Sequence, residues 1–225
     1  MEGYQKMNFT EYSNTQERTD SAEDLAKDIG DDGIRKMISM ICEAYIELCN
    51  RPNKYKIKSV MDEFDITEAL YTELLIVWKV KGNISFVPIH EKPDRYDGKR
   101  RGKPPSIDFC LRDRYNDKFY FGAECKLLRE DNASYKQYVS EGVNRYLTGK
   151  YGKKCSTGSM IGYITMGDVV NIINGVKIKV DEVSDVSKMD ESHPINGFAN
   201  HYESKHSRVI GCTPFLIHHL FFSFN

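Results

Sequence analysis

Two apolar segments with strict side-chain alternation, Ser106 to Arg112 and Phe119 to Leu127, commit the middle of this chain to a β-sheet. On a strand every second side chain faces the same side. In the first segment Ile107, Phe109 and Leu111 fall on one face, and Ser106, Asp108, Cys110 and Arg112 on the other. In the second, Phe119, Phe121, Ala123, Cys125 and Leu127 form an apolar face, opposite Tyr120, Gly122, Glu124 and Lys126. Glu124 and Lys126 therefore point the same way, roughly 6–7 Å apart along the strand. Asn116-Asp117 between the segments is a turn signal. An antiparallel hairpin is expected, with Asp108 beside Glu124 on its polar face.

Two carboxylates and an ammonium in that arrangement suit a divalent metal ion and a phosphate. Mg²⁺ takes oxygen ligands, usually one or two carboxylates plus water and substrate phosphate. A nearby Lys can orient or deprotonate the attacking water and stabilise the charge that grows on phosphorus. The same residues could serve as cross-strand charge pairs that only stabilise a sheet. Glu-x-Lys triplets also recur by chance in a chain with 29% charged residues. Matched facing on consecutive strands, the Pro104-Pro105 pair before the first strand and a basic stretch upstream favour the site.

Pro105-Ser106-Ile107-Asp108 followed by Glu124-Cys125-Lys126 resembles the PD-(D/E)XK, restriction-endonuclease-like nuclease superfamily, although the proline does not directly precede Asp108. The resemblance spans roughly residues 60 to 166. It implies an α/β fold with a mixed central sheet flanked by helices, Mg²⁺ dependence (with Mn²⁺ able to substitute) and phosphodiester hydrolysis. Carried over, Asp108 and Glu124 would hold the metal and Lys126 would serve the water.

An acid on a helix before the first strand often completes such sites. Ile66 to Lys79 reads as that helix, with Asp65 or Thr67 as caps. Glu73 falls within its apolar stripe of Ile66, Leu70 and Val77, whereas Glu68 lies almost opposite, towards solvent. A carboxylate in an apolar stripe is costly unless paired or metal-bound. Glu73 is thus the expected fourth catalytic residue, a structural ion pair being the alternative and Asp65 a substitute.

Tyr135 to Thr148 reads as a second helix. Gln137, Glu141 and Arg145 run along one side, where Glu141–Arg145 is a favourable i, i+4 pair. Gln137 or Arg145 could instead face phosphate. Gly149 to Lys154 closes the helix with cations that also complement its dipole. Met160 to Met166 is an expected strand, Asp168 to Asn174 a short helix and Lys177 to Val183 a strand. Ser184 to Ser207 reads as a loop or insertion, and Phe215 to Phe224 as a terminal strand or self-association edge. Ile34 to Cys49 is an expected helix with Ile34, Ile38, Ile41, Tyr45 and Leu48 on one face.

The chain of 225 residues has a net charge of −1, so no global field favours nucleic acid. The distribution is uneven. Residues 1–32 carry nine acids against three bases, and 92–103 six bases against two acids. The former reads as an acidic arm, the latter as either a solvated loop or a phosphate-contacting stripe. Lys99, Arg100, Arg101 and Lys103, with Arg145 and Lys150, are the expected nucleic-acid contacts.

No signal peptide is expected, and no apolar run is long enough to span a membrane. The six cysteines lack C-x-x-C spacing, which suits reduced thiols in a cytoplasmic protein. His193, His201, His206, Cys212, His218 and His219 match no standard zinc finger, and His218 and His219 should face opposite sides of a strand.

The expectation is an acidic arm over 1–32 and a single nuclease domain over 33–225, cutting DNA, with a homodimer or a larger complex as its assembly. Restriction or defence against foreign DNA is a setting implied by the family. The alternatives are a catalytically inactive nucleic-acid-binding or assembly subunit, and an RNase.

Overall fold

The computed structural model describes residues 22–51, 57, 61–81, 86–93, 106–113 and 120–225. The basic residues Lys99, Arg100, Arg101 and Lys103, the Asn116-Asp117 turn and residues 1–21 lie outside them.

The elements run α1 (Ala22–Asn50), α2 (Glu63–Lys81), β1 (Phe86–Pro93), β2 (Ser106–Asp113), β3 (Tyr120–Leu128), α3 (Asn132–Tyr138), a π-helical turn (Val139–Val143), α4 (Asn144–Leu147), β4 (Thr157–Ile164), α5 (Val169–Asp181), β5 (Ser187–Glu191), β6 (His201–His206) and β7 (Phe215–Ser223). The strands form one seven-stranded sheet in the order β1-β2-β3-β4-β7-β6-β5. It is mixed: β3, β4 and β7 are parallel, and antiparallel pairs flank them on both sides. Parallel strands need a crossover connection, and α3, the π turn and α4 supply it between β3 and β4.

Each face of the sheet carries its own core. On one, Met37, Ile38, Ile41 and Leu48 of α1 and Ile66, Leu70, Leu74 and Val77 of α2 cluster with Phe109, Phe121, Cys125, Tyr163 and Phe222. On the other, Tyr138, Val143 and Tyr146 pack with Ile172, Val176 and Val180 of α5 against Tyr120, Met160, Phe215 and Phe221. Burying both faces explains why β4 and β7 read as near-continuous apolar runs. The chain is thus α/β, a mixed central sheet with helices on both sides.

Several expectations change. Helix α1 begins at Ala22, so residues 22–32 are helical backbone rather than arm. Lys177 to Val183 is not a strand: α5 runs through to Asp181 with Asp168 as its cap, accepting the Asn171 N–H. Ile172, Ile173, Val176 and Val180 make its buried stripe and leave Ile178 at 60% exposure. The apparent alternation of Val176 to Val180 is half of a 3.6-residue pattern. Ser184 to Ser207 contains β5 and β6, outer strands with polar faces. They cover the flank of β7, so Phe215–Ser223 is interior rather than a free edge. Strand β1 carries no alternating strand pattern in its sequence. Pro88 tells against a central strand, and β1 is indeed an edge. Among the described residues no helix is long and apolar enough to cross a membrane.

Candidate active site

The expected hairpin brings Asp108 and Glu124 together, but not by simple alternation. The β2–β3 ladder pairs Phe109 with Ala123, Cys110 with Gly122 and Leu111 with Phe121. Pairing stops there, and the Cys125 N–H donates to Asp108 Oδ2 at 2.7 Å. On the other side, β1 pairs His90 with Phe109 and Lys92 with Ile107, leaving Asp108 and Glu91 between them. Glu91 takes a φ of 44°. This local break turns Ile107 into the core with Cys110 and Tyr120, while Phe109 and Leu111 pack on the opposite face. The expectation that Ile107 shares a face with Phe109 is therefore corrected. Asp108 is left half-buried, its backbone released from both ladders.

Strand β3 keeps its alternation. Glu124 and Lys126 share the face opposite Ala123 and Cys125. That face is not solvated, contrary to a polar outer surface: Glu124 is 1% and Lys126 6% exposed. Lys126 Nζ lies 3.3 Å from Glu124 Oε1 and donates to Glu63 Oε1 at 2.8 Å and to the Cys125 carbonyl at 2.6 Å. Glu63 Oε2 accepts the Leu127 N–H at 3.0 Å. Glu63 thus clamps the end of β3 through both oxygens.

Glu63, not Glu73, is the acid that α2 contributes. Asp62 Oδ1 accepts the Asp65 N–H at 2.9 Å, so the helix starts at Glu63, three residues ahead of Ile66. An Asp followed by an acidic first turn was the available signal. Glu73 lies about 15 Å further along the helix axis. It is fully buried and pairs with Arg51 at 3.4 Å. Glu68 is partly exposed and meets His90 at 2.9 Å.

Opposite conduct is expected of these two acids. Glu73→Gln should lower Tm by about 2–4 °C, the response to roughly 1 kcal/mol in a chain this long, with activity intact. Glu63→Gln should loosen Lys126 and the end of β3 and reduce any activity the site has. Melting curves alongside an assay of metal-dependent phosphodiester cleavage check this. Equal activity losses in both would refute it.

Arg145 also belongs to the site. Its Nη1 donates to Glu124 Oε1 at 2.5 Å and to Tyr151 Oη at 2.9 Å. Tyr151 Oη in turn donates to the Ser106 carbonyl. The π turn shapes this helix where it meets β4: at Gly142 a Cβ would fall 2.1 Å from the Met160 methyl. Glu141 hydrogen-bonds with Gln137, and Arg145, still under the Glu141 charge, pairs with Glu124. Gln137 faces solvent, and Lys150 is exposed beyond α4. Arg208, itself buried, donates to the carbonyls of Tyr151, Gly152 and Cys155, which fixes the loop carrying Tyr151.

Burial, then the neighbouring Asp108 charge, pushes the Glu124 carboxyl up to about 7, against the pull of Lys126 and Arg145. Burial also raises Asp108, opposed by the Cys125 N–H. Burial pulls the Lys126 ammonium down, but Glu124 and Glu63 outweigh it, so Lys126 holds its proton more firmly than a free Lys. Glu124 Oε2 is buried and without a hydrogen-bond partner. A buried carboxylate oxygen left that way is costly unless something cationic or protonated meets it. A cleft lined by Asp62, Glu63, Phe64, Thr67, His90, Glu91 and Asp108 opens beside the acids.

Comparison with known proteins finds no matching family model, no matching curated protein and no matching solved structure.

Proposed function

We propose that this chain is a Mg²⁺-dependent nuclease of the restriction-endonuclease-like, PD-(D/E)XK type, acting on DNA in the cytoplasm. The observation that carries the reading is the convergence of Asp108, Glu124 and Lys126 with Glu63 beside an open cleft, where Glu124 Oε2 is buried without a partner. The donors fit a hard cation: carboxylate oxygens, one of them, Glu124 Oε2, buried and without a hydrogen-bond partner. Asp108 and Glu124 would hold the ion. When bound, it supplies Lewis-acid polarisation of the phosphate and a more acidic water.

The chain's own groups do the rest. Lys126, kept protonated by its two acids, faces the negative charge that develops on the phosphoryl oxygens and orients the attacking water. Its firm hold on the proton favours that electrostatic role over general base. Glu63 fixes Lys126 against β3, so no reorganisation is needed when the charge appears. Arg145, 27% exposed and steadied by Tyr151, offers a guanidinium to a phosphate oxygen. Lys150 and the basic stretch with Lys99, Arg100, Arg101 and Lys103 would add contacts that position the backbone without reading sequence.

One observation favours the second reading, a nucleic-acid-binding or assembly subunit without turnover: Arg145 already sits on Glu124, where a metal would bind. Plasmid, linear DNA and RNA incubated with Mg²⁺, Mn²⁺ or EDTA separate the readings. The expected result is DNA cleavage with either metal and none in EDTA. Cutting of RNA alone would make it an RNase, and binding without cutting would establish the inactive subunit.

A further inference from the structure

A second cluster of ligating side chains lies on the opposite face of the sheet. His201 and Glu203 belong to β6 and His218 to β7, and Glu203 and His218 are direct cross-strand partners. His218 sits on the rung of Ser159 and Ala123 with its ring near and tilted to that of Phe121, so it faces the α1 side, away from Glu124. Two strand spacings, about 10 Å, separate it from β3.

Three atoms converge there. His201 Nε2 is 3.1 Å from His218 Nδ1, and Glu203 Oε1 is 3.3 Å from His218 Nδ1 and 3.7 Å from His201 Nε2. Four ligands set tetrahedrally at 2.0–2.2 Å from a zinc ion stand roughly 3.3–3.6 Å from one another. The triangle already has nearly that size.

The hydrogen bonds around the cluster say which atoms are free to ligate. His201 Nδ1 lies 3.2 Å from the His193 carbonyl, which can only accept. The neutral ring therefore carries its hydrogen on Nδ1 and turns a lone pair, on Nε2, inward. Ser192 Oγ donates to Glu203 Oε1 at 2.7 Å. A backbone carbonyl behind one imidazole and a hydroxyl behind the carboxylate are the outer partners that orient metal ligands. His218 turns Nδ1 towards His201 and Glu203, while its Nε2 is buried and without a hydrogen-bond partner.

We propose that His201 Nε2, Glu203 Oε1 and His218 Nδ1 bind one zinc-class transition-metal ion, with the fourth position open to water. Two imidazoles and one carboxylate select zinc, cobalt or nickel over Mg²⁺, which prefers oxygen. Buried His201 and His218 form the floor, and Glu203, 36% exposed, is the way in. The ion would tie β6 to β7 and hold the Ser192–His193 turn. It is independent of the nuclease site and does not depend on that reading. The sequence spacing concealed it, because the ligands come from two strands and the third is a Glu.

The test is calorimetric titration of the metal-stripped full-length protein with Zn²⁺ in excess Mg²⁺, repeated with Co²⁺ followed by its visible spectrum. One ion per chain is expected, with four-coordinate cobalt bands and no thiolate charge-transfer absorption. Glu203→Gln and His201→Gln should each weaken binding by roughly 100-fold or more, beyond the loss usual for outer-shell changes. Asp108→Ala should leave zinc binding unchanged. Should the ligand variants melt early without metal, Ser192→Ala tests the same site with an about tenfold loss. No stoichiometric uptake by the wild type, a thiolate band, or affinity unmoved by all three variants would overturn the proposal.

Discussion

Asp108→Ala, Glu124→Ala and Lys126→Ala are each expected to cut phosphodiester turnover by about 10²–10³-fold or more, the scale of losing a preorganised charge-stabilising group. Asp108 and Glu124 would each remove a metal ligand, and Lys126 the cation facing the developing charge. Their effects should be far from additive, because the three serve one transition state. Burial complicates the readout. Lys126→Ala leaves Glu63 and Glu124 without their shared ammonium, so some loss of stability accompanies the loss of rate. Asp108→Asn and Glu124→Gln keep shape and volume and isolate the chemistry. Single-turnover cleavage of plasmid, with melting curves for every variant, makes the comparison. A well-purified Asp108→Ala protein that still cuts would remove the assignment.

Stability at low ionic strength should fall as pH rises from about 4.5 to 7 through Glu124, and a divalent ion should restore it. Burial and the Asp108 charge lift this carboxyl from its ordinary 4.5 to about 7. In that window the folded chain keeps a proton that the unfolded chain releases. The Glu124 contribution is therefore fully present below 4.5 and lost by the time pH passes 7. At about 1.4 kcal/mol per pH unit, the interval amounts to about 3 kcal/mol. Asp108 is shifted in the same direction and titrates with it. A metal competes with the proton, so its affinity should climb with pH and level off above 7. Urea unfolding from pH 5 to 8 in EDTA, wild type against Glu124→Gln, isolates the effect. A stability difference that stays flat with pH would sink it.

Local pattern alone determined a good deal. The alternation of β3 placed Glu124 and Lys126 on one face, because neighbouring positions are alternately small or apolar and no bulge intervenes. The stripe of Ile38, Ile41 and Leu48 defined the buried side of α1. Adjacent His218 and His219 do face opposite sides of β7, one towards His201 and the other towards Tyr138 and Ser204. These readings rest on periodicities of 2 and 3.6 residues, which a strand or helix expresses wherever it lies.

Tertiary structure decided what periodicity cannot carry. Val176 to Val180 alternates like a strand, yet only packing against Tyr138 and β7 selects the helix. Phe215 to Phe224 fits either a terminal strand or a self-association edge; it is the terminal strand, and two polar strands cover its flank. Asp108 turns through a break in two ladders that involves β1, an element with no strand signature of its own. Glu63 reaches Lys126 across sixty-three positions of chain. The choice between Glu63 and Glu73 was one of distance: both are acids on the same helix, but only the end that abuts β3 can deliver a carboxylate to it. His201, Glu203 and His218 meet for the same reason, since strand register, set by the burial of both sheet faces, brings together residues that sequence spacing leaves unrelated.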